Sequence, residues 1–213
     1  AIADGDSSII INCLAGVYTD QDVFSGLSST ATISIIFEEG CFYDGSSQTS
    51  PLFDNSVADL NIRSIVGGLD VIVNSQEIWK GPFDENGTTV GILGVANWSA
   101  TSLLFDVTGG TGSISVARKM ISTFTKSTAV EISGSADVTL SGIYAEHLIA
   151  AFAPQVLFAT LRDTATLRMI NFKGSGYGSC EITTDTACKL ILENTVTGNG
   201  TGLGITARSV VAP

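Results

Sequence analysis

Cleaving a glycosidic bond takes two carboxyl groups roughly 5–9.5 Å apart, one to protonate the leaving oxygen and one to attack or to activate water. The sequence holds two acidic groups that neighbouring segments can bring to such a spacing. Glu38, Glu39 and Asp44 form the first, and Asp84 and Glu85 the second. Asp163 and Asp185 open two similar stretches, DTATLRMIN and DTACKLILE, so they can stack on one another. The competing reading of all these residues is plain solvated turn acids, and nothing in their spacing separates the two. Proton abstraction of the lyase kind would instead use Lys, Arg, His or Tyr, often beside acid-bound calcium. Arg118, Lys119, Arg162, Arg168 and His147 are the groups to consider. His147 follows Glu146, and adjacent residues of a strand point to opposite faces, so these two make no pair.

Nucleophilic chemistry finds no footing. There is no GxSxG elbow, and no cysteine has a histidine near it in sequence. Glycine-rich runs such as GSGYGS lack the helix and lysine of a phosphate loop and read as turns. Four cysteines without a CxxC, beside one histidine, make no zinc constellation. No metal or cofactor is expected. Cys13, Cys41, Cys180 and Cys188 read as reduced, buried residues.

Aromatic residues are the better binding candidates. Trp79 and Trp98 flank the irregular stretch EIWKGPFDENGTTVGILGVANW, with Asp84 and Glu85 at its tip, and Tyr43 sits at another turn. Exposed rings pack on the apolar faces of sugars while carboxylates take the hydroxyls. Trp79, Trp98, Tyr43 and Asp84 are therefore the candidate ligand contacts. Packing of both tryptophans in the core or at a subunit interface is the competing reading.

The elements that must position these groups show themselves as a repeat. TATISI (30–35), VADLNI (57–62), TGSISV (111–116), SADVTL (135–140), TATLRM (164–169) and TACKLI (186–191) share one cadence, with a weaker copy at 99–104. Each alternates polar and aliphatic residues, as a strand with one buried face does. Runs such as TGGTG and TGNGTGLG between them are turn material. Helical periodicity is nearly absent; the stretch 145–161 reads as two short strands, with a helix broken at Pro154 as the alternative. A period of 20 to 30 residues without helix pairs or a leucine ladder indicates a parallel β-helix of roughly eight coils. Ile33, Leu60, Ile114, Val138 and Leu167 should then point inward. A β-sandwich is the alternative fold, though its strands have no reason to resemble one another.

Composition limits the partners. The 213 residues are 44% hydrophobic and only 15% charged, with a net charge of −11. Sparse, scattered cations exclude a nucleic-acid face and an anionic membrane surface. No segment has the ~18 uninterrupted apolar residues of a membrane span. The chain is expected to form one domain, 1–213, and to be a piece of a longer protein.

The stretch IIINCLAGVYT (9–19), followed by ISIIFEEGCFYDG (33–45), resembles the opening coils of right-handed β-helices of the pectate-lyase-like type, as in phage tailspike and tail-fibre proteins. The resemblance implies a carbohydrate context: a structural or receptor-binding segment contacting bacterial surface polysaccharide, on a virion or outside the cell. A polysaccharide depolymerase with carboxylates on the helix flank, or a bacterial surface adhesin, are the alternatives. The low charge for a thin rod, and apolar residues such as Phe124, Ile149, Phe152 and Phe158, point to a homotrimer without catalysis by this segment.

Overall fold

A strand that alternates aliphatic and hydroxyl residues has one face to hide, and stacking the same strand on itself hides it. The chain does this throughout the residues that the computed structural model describes: 8–19, 32–45, 50–56, 61–73, 77–98, 103–118, 120–122, 129–147, 155–175, 179–185, 187–194, 196–197 and 204–207. All regular structure among them is β, and every strand pairing is parallel.

In chain order the first turn holds β1 (Ser8–Cys13) and β2 (Gly16–Tyr18). It is followed by β3 (Thr32–Gly45), β4 (Phe53–Asp54), β5 (Ile62–Val73) and β6 (Trp79–Gly81). Then come β7 (Thr88–Ile92), β8 (Gly94–Trp98) and β9 (Phe105–Val107), and β10 (Thr111–Val116), β11 (Met120–Ser122) and β12 (Val130–Ile132). The last three turns are β13 (Asp137–Ser141), β14 (Tyr144–His147) and β15 (Gln155–Leu161); β16 (Thr166–Ile170), β17 (Lys173–Ser175) and β18 (Ser179–Thr184); and β19 (Lys189–Glu193), β20 (Val196–Thr197) and β21 (Gly204–Ala207). The stretch 145–161, read as two short strands, supplies β14 and β15 and not the alternative helix.

These strands stack into three faces. The first is β1-β3-β5-β7-β10-β13-β16-β19. The second runs β2-β3-β5-β8-β11-β14-β17-β20, and the third β4-β6-β9-β12-β15-β18-β21. This is a parallel β-solenoid, not a sandwich. Five turns, from β7–β9 to β19–β21, carry three separate strands each, where roughly eight such coils were expected. The difference lies at the N-terminal end, where β3 and β5 run through the first two faces without a break.

The core is a set of columns along the rod axis. Ile35, Ile65, Val90, Ile114, Leu140 and Met169 form one, each buried. Of the expected inward residues, Ile33, Ile114, Val138 and Leu167 have no exposed surface, and Leu60 lies outside the described residues. The register differs from the sequence alignment in two places. Ile33 pairs with Ile62, and Ile114 pairs with Leu140, so Val138 stands over Gly112. Phe83 explains the second shift. Its ring turns into the core where a side chain at 112 would sit, and a Cβ on Gly112 would lie 2.4 Å from the ring. The supposed weak copy at 99–104 is not another unit of this face, because Leu104 leads into β9 on the third face.

Corners are fixed by residues in the left-handed region. Gly110, Gly134 and Asp163 (φ +74°, +63° and +59°) turn the chain from the third face to the first. Gly142, Asn171 and Asn194 turn it from the first to the second, and the Asn194 amide donates to Asn171 Oδ1 at 2.6 Å. At Gly110 the requirement is steric as well, since an added Cβ would lie 1.9 Å from the Phe83 carbonyl oxygen. Gly142 shares the positive φ but faces open space. Both Ala variants should lose the ~1–2 kcal/mol of a left-handed non-glycine residue. Gly110→Ala should lose clearly more, read as a lower urea midpoint; equal midpoints for the two would contradict this corner packing.

The described thiols are interior. Cys13, Cys41 and Cys188 are free and buried. Burial, with Cys41 adding, pushes the Cys13 thiol up to about 11, which makes it a poor nucleophile. Cys41 Sγ donates to the Cys13 and Leu14 carbonyls at 3.2 Å each, tying the first turn to the next.

Candidate functional site

The residues proposed from sequence do not converge. Glu38 and Glu39 are exposed at the corner where β3 passes from the first face to the second. Asp84 and Glu85 lie in the loop between β6 and β7, at the opposite edge of the first face. That loop is a tight turn. Gly87 N donates to the Asp84 carbonyl at 3.0 Å, Asn86 N to Asp84 Oδ1 at 2.7 Å, and Asp84 N to Thr88 Oγ1 at 2.8 Å. Asp84 is therefore a turn former, with Arg63 Nε 3.9 Å away. Asp163 and Asp185 do stack, as their repeat positions suggest, but as corner acceptors. Gly134 N donates to Asp163 Oδ2 at 2.9 Å, and Asp163 N to Asp185 Oδ2 at 3.4 Å.

The aromatic candidates need correction. Trp79 is fully buried, stacked in register between Phe53 and Phe105. Its ring meets Phe83 edge-on at 5.2 Å, and Nε1 donates to the Gly81 carbonyl at 3.0 Å. Tyr43 is buried as well. Neither ring face is open to a sugar, because both residues occupy inward positions of the ladder. Trp98 lies on β8 in register with Ser122, and its side chain is outside the described set, as is that of His147.

What the fold does bring together is an outward strip on the third face. Asp54, Lys80, Asp106, Glu131 and Thr160 stand in successive rungs, each half-buried, and Thr183 and Thr206 continue the register. Rungs of a parallel sheet are ~4.8 Å apart, so these groups form a line along the rod. Asp54 Oδ1 accepts from Ser56 N and Oγ. Arg162 Nε donates to Glu131 Oε1 at 2.7 Å. Burial holds the Asp106 carboxyl above its ordinary value, with Glu131 adding and Lys80 opposing. Glu77, just before β6, is raised by burial in the same way, with Lys80 opposing and Asp106 and Asp54 adding. Among the described residues no three His, Cys, Asp or Glu side chains are grouped to hold a metal ion.

The sequence carried a signal for this strip. Phe53-Asp54, Trp79-Lys80-Gly81, Phe105-Asp106-Val107 and Val130-Glu131-Ile132 repeat an inward–charged–inward unit at intervals of about 26 residues. Three-residue units are too short to stand out beside the longer cadence of the first face. That first face has its own outward line of small hydroxyls: Ser34, Ser64, Thr89, Ser113 and Thr139.

The raised Asp106 gives a signed pH prediction. An acid whose folded pKa exceeds its unfolded value binds more protons folded than unfolded, so its contribution to stability falls as pH rises from the ordinary carboxylate range through the raised value. Asp106→Asn removes this term. The stability of wild type relative to Asp106→Asn should therefore improve on acidification through that window, measured by denaturant midpoints at a series of pH values. A flat difference would show that the strip leaves Asp106 fully solvated.

Comparison with protein-family models, with curated proteins and with solved structures finds no match to this chain. Among the described residues no helix is long and apolar enough to cross a membrane, which leaves membrane-crossing strands unaddressed.

Proposed function

We propose that this chain is a structural, polysaccharide-contacting segment of a phage tailspike- or fibre-like β-helix of the pectate-lyase-like type, working as a homotrimer on a virion or outside the cell. The observation that carries this reading is the line of polar groups from Asp54 through Lys80, Asp106 and Glu131 to Thr160. A long polymer lying along the rod meets one group per rung, and carboxylates, an ammonium and a hydroxyl all hydrogen-bond sugar hydroxyls. With ten Lys and Arg against 21 Asp and Glu, the chain suits a neutral or hydroxyl-rich polymer better than a polyanion. The trimer rests on composition: 15% charged residues is little cover for a rod. Leu14 and Ile36, both exposed, are flank positions that sideways association would cover.

A second reading, a polysaccharide depolymerase, is favoured by one feature. Asp106 and Glu131 sit on neighbouring rungs, and the ~4.8 Å rung spacing is close to the ~5–5.5 Å separation of a retaining carboxyl pair. The raised Asp106 suits an acid, and Glu131, held by Arg162, suits the partner role. One experiment separates the readings. The chain is incubated with a panel of bacterial capsules and lipopolysaccharides, and both binding and released reducing ends are measured for wild type and Asp106→Asn. Binding without release supports the structural reading. Release that is lost in Asp106→Asn supports the enzyme. Absence of both across the panel would defeat the carbohydrate proposal.

A further inference from the structure

The outward strip of the third face is two residues wide. Beside Asp106, Glu131 and Thr160 stand Thr108, Ser133 and Arg162, each two positions further along the chain and so on the same side. The ladder carries on that far. Thr108 N donates to the Gly81 carbonyl at 3.4 Å, Ser133 N to that of Val107 at 2.9 Å, and Arg162 N to that of Ile132 at 2.9 Å. Pro82, exposed, lies one rung before Thr108 in this second line. The strip is closed by the chain's own bonds at two places. Asp54 Oδ1 accepts from Ser56 N at 3.0 Å, and Glu131 Oε1 from Arg162 Nε at 2.7 Å. Between these two bonded pairs it is open. Among the described residues the side chains of Lys80, Asp106, Thr108 and Ser133 have no hydrogen-bond or ion-pair partner. These rungs lie in the middle of the rod, so further coils at either end would lengthen the strip and leave this stretch as it is.

Resting on the polysaccharide-contacting reading above, we infer that Lys80, Asp106, Thr108 and Ser133 form a binding window for a short uncharged stretch of glycan. It takes about two sugar rings at ~4.8 Å a rung, with two neighbouring hydroxyls of one ring on Asp106. A carboxylate only accepts and has two oxygens, so it holds both hydroxyls of such a diol. Lys80 only donates and serves ring and hydroxyl oxygens, while Thr108 and Ser133 do either. Pro82 adds an apolar surface for the CH side of a ring, and a few placed polar groups beside apolar surface are what orient a small ligand. Charge selects against the alternatives. A sugar acid would set its carboxylate beside Asp106 and Glu131, and an amino sugar its ammonium beside Lys80; a neutral diol meets no like charge. Asp106 is half-buried, and a hydrogen bond to a partly desolvated carboxylate counts for more than one in water.

The test follows the backbone amide signals of Thr108 and Ser133 by NMR while sugars are added to the whole chain. The neutral probes are cellobiose, maltose and mannobiose, which differ in linkage and in diol geometry. The charged controls are cellobiouronic acid and the glucosamine dimer. At least one neutral disaccharide should move both amides, and the charged pair should bind several-fold more weakly. Thr108→Val and Ser133→Ala, both at outward positions, should keep the fold. Each should weaken the neutral sugar roughly two- to tenfold, as loss of one hydrogen bond does. Thr139→Val on the first face should leave its binding unchanged. Amides that stay still with all three neutral sugars, or binding untouched by both window variants, would overturn the window. A capsule polysaccharide that binds wild type and the Thr108→Val, Ser133→Ala double variant alike would overturn it too, while leaving the carbohydrate reading in place.

Discussion

Val138→Asp should leave the chain unfolded or nearly so under conditions where wild type is native. Val138 has no exposed surface and sits in register between Gly112 and Leu167, neither of which offers a carboxylate a polar side chain. Burying an unpaired polar group there costs roughly 4 kcal/mol or more, against a total stability of about 5–15 kcal/mol for a domain. Strand circular dichroism and solubility report the loss. The neighbouring outward position is the control. Thr139→Asp faces away from the core and lies in register between Ser113 and Arg168, so it should stay within about 1 kcal/mol of wild type. Similar behaviour of the two variants would mean that the alternation has been assigned to the wrong faces.

Trp79→Ala carries the next largest effect. The indole fills the core between Phe53 and Phe105, and its loss leaves a cavity and takes the shorter of two donors from the Gly81 carbonyl, which keeps Thr108 N at 3.4 Å. Large aromatic-to-Ala changes of this kind cost about 3–5 kcal/mol. Trp79→Phe keeps most of the volume and should cost less than half of that. The outcome also decides between two roles. A tryptophan that served as an open sugar platform would lose ligand and keep its stability; a ladder tryptophan loses stability first.

The first face was legible in the sequence because its inward and outward residues alternate over five or six positions, long enough for TATLRM and SADVTL to look alike. Its register was not. The cadence cannot tell that Ser135 and Ala136 belong to a corner while Thr111 and Gly112 already lie in a strand. That difference comes from Phe83, a residue of a different turn, filling the space above Gly112. The long strands β3 and β5 hid the coil boundaries at the N-terminal end for a similar reason: a corner made by a local irregularity at Glu38–Gly40 carries no turn cluster. Trp79 and Tyr43 turned out to point inward, which the sequence could not show because Trp and Tyr beside glycines and acids look alike whether the ring points in or out. Only the parity along β3 and β6 decides it, and a three-residue strand shows too little parity to read. Asp106 and Glu131 escaped notice because nothing marks them until the rungs are stacked.

The arrangement of the rungs is the claim on which both the ligand strip and the core variants depend. Spin labels test it on the outward line of the first face, where Ser34, Ser64, Thr89, Ser113, Thr139 and Arg168 occupy successive rungs. One label stays at Ser34 and the second moves from Ser113 to Thr139 to Arg168. With one rung every ~4.8 Å, the backbone separations are about 14, 19 and 24 Å, so the measured distance should grow in equal steps. Distances that fail to increase in that order, with Arg168 no farther from Ser34 than Ser113 is, would contradict the parallel solenoid.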